Sequence, residues 1–175
     1  MSVLFLMDPI ENINPSKDTT LLFIRESICR GETPFYLNQG GITIQNGKFF
    51  FSVQEILIDD SMSFPIILKD PIVLDEFSIK MIFIRTDPPF DTEYLNDTWL
   101  LDLIKDRVLV VNNPTGIRQV NEKLWCSKFV DFVPETLITR HRDFFLSFLN
   151  EHNTVILKPL NGFGGKGIMK LDKED

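Results

Sequence analysis

Near the end of the sequence, in "TVILKPLNGFGGKGIMKLDKED", Gly162, Gly164 and Gly167 satisfy G-x-G-x-x-G, with Gly165 as an extra glycine and Lys158 just upstream. That spacing is shared by dinucleotide-binding turns and phosphate-covering flaps. A dinucleotide turn must open a helix whose N-terminus holds the pyrophosphate. Only the eight residues "IMKLDKED" follow Gly167, and they begin like a strand. A P-loop would place lysine directly after the last glycine, where Ile168 stands instead. What remains is a glycine-rich loop between two strands, its backbone N–H groups unobstructed, with Lys158 able to neutralise the phosphates that the loop covers. A flexible hairpin turn without a ligand uses the same residues, and residue types alone leave both readings open.

A second set of polar groups follows apolar runs. Arg85 and Asp87 come after "IKMIFI", and Asp8, Asn12 and Asn14 come after "SVLFLM". Loops at the carboxyl ends of parallel strands are where open α/β sheets bind ligands, so these are substrate-side candidates, with loop capping as the alternative. Asp91 before "TEYL" fits a helix N-cap, and Pro88-Pro89 a stiff turn leading to it. Lys123, taken alone, is a solvated lysine on an amphipathic helix. His141 and His152 have no partner at ligand spacing, and Lys166 faces solvent.

These groups need elements to hold them. "SVLFLM" reads as a buried strand and "DPIENINPSKD" as a loop; Asp18 then caps a helix over "TTLLFIRESICR" that Gly31 can end. "TPFYLN" reads as a second strand, and "ITIQNGKFFFSV" as a hairpin around a type I′ turn at Asn46-Gly47. Residues 56–78 read as loop with short extended pieces, and "IKMIFIR" as a buried strand. Leu95, Trp99 and Leu103 predict the apolar stripe of a helix, and "VLVVN" another buried strand. Strands alternating with helices imply a largely parallel sheet. The pattern changes after Asn113: Ile117, Val120 and Leu124 recur at helical spacing, "ETLIT" reads as a strand, "RDFFLSFLNEH" as an amphipathic helix, and "TVILK" and "GIMKL" as strands flanking the glycine loop. A boundary near 112 to 122 gives domains of 1–122 and 123–175.

Composition narrows the function classes. The 175 residues are 43% hydrophobic, enough to bury a real core. A net charge of -7 argues against a nucleic-acid partner. The two cysteines, Cys29 and Cys126, show neither a disulfide framework nor metal-ligand spacing, which suits a reducing, cytoplasmic setting. The apolar start lacks the basic region of a signal peptide, and no stretch approaches a membrane span, so no membrane partner is expected. A homo-oligomer is left open.

"LMDPIENINPSKDTT", "IRTDPPFDTEY", "NNPTGIRQVNEKL", "PETLITR" and "ILKPLNGFGGKGI" resemble, in order and spacing, the prokaryotic-type glutathione synthetases of the ATP-grasp ligases. The resemblance spans nearly the whole chain except about residues 38–78. It implies an α/β fold: a mostly parallel sheet with flanking helices of the pre-ATP-grasp type, then the start of an ATP-grasp α+β domain. It also implies ATP-dependent ligation of γ-glutamylcysteine and glycine through an acyl phosphate, with ATP and Mg²⁺ required. Lys123 and Lys158 match the family's nucleotide-binding lysines, and Asn161, Gly162, Gly164, Gly165 and Gly167 match the loop that closes over ATP. The substrate-side candidates are Arg85, Asp87, Asp91, Asp8 and Asn14; no catalytic residue is assigned.

Family members continue into a second half that carries the metal ligands. Here the only carboxylates after the loop are Asp172, Glu174 and Asp175, read as a charged tail with no strand to position them. No metal site is therefore expected in this chain, which reads as an N-terminal portion whose own activity is left open. The alternatives are a catalytically silent α/β binding or dimerisation module, and another ATP-grasp carboxylate-amine ligase.

Overall fold

In the structure, a computed structural model, residues 1–174 are described; Asp175 lies outside them. The chain forms two compact units, Met1–Arg118 and Gln119–Asp175.

The first unit begins with β1 (Ser2–Leu6) and α1 (Thr19–Cys29), the latter capped by Asp18, whose carboxylate accepts the Thr20 N–H. It ends where Gly31 takes a φ of 72°. β2 (Thr33–Gln45) and β3 (Lys48–Ile58) form the expected hairpin, with Asn46 at φ 52° and Gly47 at φ 76° as a type I′ turn requires. β4 (Ile66–Leu68), β5 (Ile72–Asp75), β6 (Ile79–Ile84), α2 (Thr92–Asp102) and β7 (Leu109–Val111) follow. α3 (Pro114–Gln119) comes next. The Pro88–Pro89 bond before α2 is cis.

The sheet runs β4-β3-β2-β1-β6-β7, with β5 also on β3. β2, β1, β6 and β7 are mutually parallel, and the hairpin adds the antiparallel side. The largely parallel α/β sheet is as expected. β1 lies at its centre, and its alternating side chains serve two cores. Leu4 and Leu6 pack with Leu37, Phe51, Ile82, Leu101 and Ile104, while Val3, Phe5 and Met7 pack with Leu21, Ile24, Tyr36 and Ile56. Burial on both faces explains why this strand reads as an unbroken apolar run.

Several local expectations change. "TPFYLN" and "ITIQ" belong to one strand, β2, whose pairing shifts between Leu37 and Ile42 around Gly40 (φ 75°) and Gly41. A Cβ on Gly41 would lie 2.7 Å from Leu37 Cδ1. The short extended pieces expected within residues 56–78 are there, as β4 and β5, both anchored on β3. On α2 the buried face is Tyr94, Asp97, Thr98 and Leu101, whereas Trp99 and Leu103 are exposed. The apolar spacing pointed to the wrong stripe because two polar residues occupy the core face. β7 is an edge strand, and Leu109 is exposed there.

The helical spacing after Asn113 breaks into short pieces, of which α3 is the first. Asn121 accepts the Lys123 and Leu124 N–H groups and so starts a new helix, α4 (Glu122–Trp125), followed by 3-10 turns at Cys126–Lys128 and Val130–Phe132. "ETLIT" is not a strand; among the described residues it has no ladder partner, and the Thr136 hydroxyl turns back to the Pro134 carbonyl at 2.7 Å. α5 (Arg142–His152) leads into β8 (Thr154–Leu157), which pairs antiparallel with β9 (Met169–Asp172) across the glycine loop. Asp172 therefore ends a strand rather than sitting in a tail, held by the Thr154 hydroxyl and by Lys170 Nζ at 2.9 Å. Among the described residues no helix is long and apolar enough to cross a membrane.

Candidate functional site

Each unit carries one candidate region. In the first, β1 and β6 are adjacent and parallel, so their C-terminal ends bring Asp8 beside Arg85 and Asp87, with the start of α1 close by. A cavity of about 220 Å³ opens there, lined by these three together with Asn12, Lys17, Asp18, Thr19 and Thr20. Asp8 accepts the Asp87 backbone N–H at 2.9 Å. Burial pushes the Asp8 carboxyl up, and the nearby Asp87 and Asp18 charges add to this, against the Asp87 N–H bond that stabilises the anion. Arg85 donates from Nη2 to Thr19 Oγ1 at 2.8 Å and from Nε to Thr20 Oγ1 at 3.1 Å. A cavity rimmed by two cations and three carboxylates suits a zwitterionic ligand, with a carboxylate for Arg85 or Lys17 and an ammonium for the acids.

The other two substrate-side candidates do not line this cavity. Asn14 Oδ1 accepts the Ser16 N–H and hydroxyl at 3.1 and 2.7 Å, and its carbonyl accepts the Lys17 and Asp18 N–H groups, so it shapes the loop. Asp91 caps α2, accepting the Tyr94 N–H at 3.0 Å. Sequence reading missed Lys17, Thr19 and Thr20 as cavity residues. Their signal was their place at the start of the helix that follows the first parallel strand, where the backbone dipole already favours anions.

In the second unit the loop between β8 and β9 collects most of the nucleotide-side candidates. Gly164, Gly165 and Gly167 have φ of 58°, 77° and 73°, a region that side-chain-bearing residues rarely enter. Gly162 is required for space instead: a Cβ there would lie 2.6 Å from Pro159 Cγ and 3.0 Å from the Lys166 carbonyl oxygen. Lys123 reaches this loop, donating from Nζ to the Gly162 carbonyl at 2.6 Å and to the Leu160 carbonyl at 3.3 Å, with Glu122 at 2.7 Å. Asn121, which sequence reading passed over, donates from Nδ2 to the same Leu160 carbonyl at 3.3 Å. Lys158 is exposed at the end of β8 and makes no bond to another described residue, as is also true of the Asn161 side chain. Lys166 is exposed, its ammonium 5.2 Å from the Phe163 ring centroid. After Gly167 the chain enters β9, so no helix follows to make a dinucleotide turn.

His152 departs from its sequence reading. Its Nε2 lies 3.7 Å from Glu135 Oε2, and Glu135, Glu151 and His152 have ligand atoms within 4.8 Å of one another. The carboxylates are exposed, and the ring packs on Phe148 with centroids 4.2 Å apart.

Comparison with known proteins gives these two regions a common origin. Residues 1–118 match the family profile "Prokaryotic glutathione synthetase, N-terminal domain", and residues 122–175 match "Prokaryotic glutathione synthetase, ATP-grasp domain". An α/β unit followed by ATP-grasp sequence defines the class. The chain belongs to the prokaryotic glutathione synthetase family. It is 34% identical over 175 residues to the glutathione synthetase of Rhodopseudomonas palustris, covering all of this chain and 56% of that protein. It is also 34% identical to those of Yersinia pestis and Escherichia coli K12, in each case over 97% of this chain and 54% of the relative. The chain thus spans about half the length of the curated relatives it matches.

Proposed function

We propose that this chain works in glutathione synthesis, as the part of an ATP-dependent carboxylate-amine ligase that holds the peptide substrate and the ATP phosphates. The domains are 1–122, on the substrate side, and 123–175, the first part of the nucleotide-binding domain. In the reaction, a carboxylate oxygen of the cysteinyl residue of γ-glutamylcysteine takes the γ-phosphoryl group of ATP and ADP leaves. The glycine amine then attacks the acyl carbon, loses a proton, and displaces phosphate. Such chemistry needs positioned reactants and neutralised phosphate charge rather than a protein nucleophile. Lys123 and Lys158 supply cations, and the loop from Asn161 to Gly167 supplies backbone N–H groups. Arg85 and Lys17, with Asp8 and Asp87, offer opposite charges to a zwitterionic peptide end, while Asn14 and Asp91 act through the loop and helix start that they shape.

The observation that carries this reading is the bond from Lys123 to the Gly162 carbonyl. It ties the lysine that the family pattern assigns to ATP directly to the loop assigned to cover it. The described residues beside that loop do not make a Mg²⁺ site. Asp172 is engaged by Thr154 and Lys170, and this cation needs several well-placed oxygen ligands. The reading places the chain in the cytoplasm with small-molecule partners only, no nucleic acid and no membrane, and accommodates a homo-oligomer.

Few groups hold the phosphates, so ATP is expected to bind the chain at about millimolar affinity, with Lys158→Ala weaker still. Amide resonances should shift at residues 158–168 and at Lys123 on titration. Micromolar binding unaffected by Lys158→Ala, or shifts confined to the first unit, would contradict the assignment.

A further inference from the structure

Among the described residues, no carboxylate holds Arg85. Asp8 and Asp87 line the same cavity, yet no ion pair joins either to its guanidinium, whose partners are the Thr19 and Thr20 hydroxyls. A third contact completes the set: Arg85 Cζ lies 5.7 Å from the centroid of the Phe23 ring.

The ring is itself the end of a stack. Register places Phe5 of β1 opposite Phe83 of β6, with ring centroids 5.2 Å apart and planes 8° from parallel. Phe23 stacks on Phe83 at 5.5 Å and 6°. Arg85 directly follows β6 and extends its pairing with β1, its N–H donating to the Leu6 carbonyl at 2.7 Å, so it shares a face with Phe83 two residues earlier; Phe23 lies three and four residues after Thr20 and Thr19, on the same face of α1. One helix face thus supplies both hydroxyl acceptors and the aromatic surface. Phe5 is fully buried, whereas Phe23 is 43% exposed. Core packing explains the inner rings but leaves the outer one unaccounted for.

We infer that Phe23 is a positioning residue, whose ring, fixed by the Phe83–Phe5 stack, aims the Arg85 guanidinium into the cavity to receive a carboxylate of the peptide substrate. The inference rests on the substrate-side reading of Arg85 and adds how that group is oriented. A π face and two neutral oxygens orient a cation without neutralising it, so its charge stays available to a ligand. A carboxylate from Asp8 or Asp87 in the same place would compete with the substrate.

The test uses the full chain with Phe23→Leu, Phe23→Tyr and Arg85→Lys, and two readouts. The first is the Arg85 Nε–H resonance without ligand. It should sit upfield in wild type from the ring current, lose that shift and exchange faster with water in Phe23→Leu, and recover in Phe23→Tyr. The second is γ-glutamylcysteine binding by calorimetry, which should weaken about three- to ten-fold in Phe23→Leu, as expected for the loss of one cation–π contact, and recover in Phe23→Tyr. An Nε–H signal unchanged in folded Phe23→Leu would overturn the inference, whatever the affinity. A signal that responds while Arg85→Lys leaves peptide binding untouched would support the positioning and overturn the substrate reading of Arg85. Equal weakening by Phe23→Leu and Phe23→Tyr would also count against the aromatic face as the cause.

Discussion

Replacing Glu76 with alanine should destabilise the first unit by about 2–3 kcal/mol, read as a lower urea midpoint with an unchanged m-value. Glu76 is 6% exposed. It begins the 3-10 turn Glu76–Ser78, which Asp75 caps by accepting the Phe77 and Ser78 N–H groups. One Glu76 oxygen accepts from Arg107 Nη1 at 2.6 Å and the other from the Phe49 backbone N–H at 3.3 Å. Arg107 in turn lies over the Phe49 ring, 5.1 Å from its centroid. One carboxylate thus ties the β2–β3 hairpin to the segment between α2 and β7, parts of the chain that share no local sequence. Alanine leaves the Phe49 N–H without its acceptor. Arg107 is half-exposed and regains water, which keeps the loss below that of breaking a fully buried ion pair. Glu76→Gln, which keeps an acceptor for Phe49, should lose about half as much. If Glu76→Ala unfolds within about 0.5 kcal/mol of wild type, the tie carries no weight.

Glu76 also marks a limit on what the sequence disclosed. β1 and the Asn46-Gly47 hairpin were legible because a fully buried parallel strand must be continuously apolar and a type I′ turn needs two positive-φ residues side by side. α2 was found, but with the wrong face inward, since Leu95, Trp99 and Leu103 repeat as regularly as Tyr94, Asp97, Thr98 and Leu101 do. Periodicity ranks faces by apolarity, and this core face includes an acid and a hydroxyl. "ETLIT" has strand composition but no ladder partner among the described residues, and a strand needs both. In the region after Asn113, Asn121 offers a cap that competes with helix continuation, so one apparent helix became separate turns.

The candidate sites divide in the same way. Asp8, Arg85 and Asp87 came together because parallel neighbouring strands must end side by side, a rule of topology that sequence order can express. The start of α1 hinted at Thr19 and Thr20 as cavity residues, but nothing in sequence order set them or Phe23 on Arg85, because that placement is a helix-to-sheet contact across more than sixty positions. Gly162 is the intermediate case. The motif flagged it for leaving backbone N–H groups open to a ligand, whereas the structure requires its missing Cβ because Pro159 occupies the space.

Asp97 should show the opposite behaviour to Glu76: removing its charge should stabilise the fold. It is 3% exposed on the inner face of α2, and its Oδ2 has no hydrogen-bond partner among the described residues. Burial pushes its pKa up to about 6, partly offset by the Gly40 backbone N–H at the β2 irregularity, with Glu93 and Asp91 adding like charge. Because the folded value lies above the unfolded one, the folded state binds the proton more tightly. Well above pH 6 the carboxylate is charged in both states, and the fold bears the whole cost of up to about 3 kcal/mol. As pH falls from 6 towards 4 the folded state is protonated first, and that cost disappears. Asp97→Asn retains an acceptor for Gly40 and removes the charge. It should therefore gain about 1–2 kcal/mol at pH 7.5, less than the full cost because the amide brings new donors to a buried site. The Asp8 carboxyl is also pushed up, so the wild-type pH profile alone does not isolate Asp97. The informative quantity is the difference in urea-unfolding free energy between Asp97→Asn and wild type, measured at pH 7.5 and pH 4.5. It should be positive at the higher pH and shrink at the lower. A difference independent of pH would show that the variant acts through packing, and a loss of stability at pH 7.5 would mean that the buried anion holds the β2 irregularity in place.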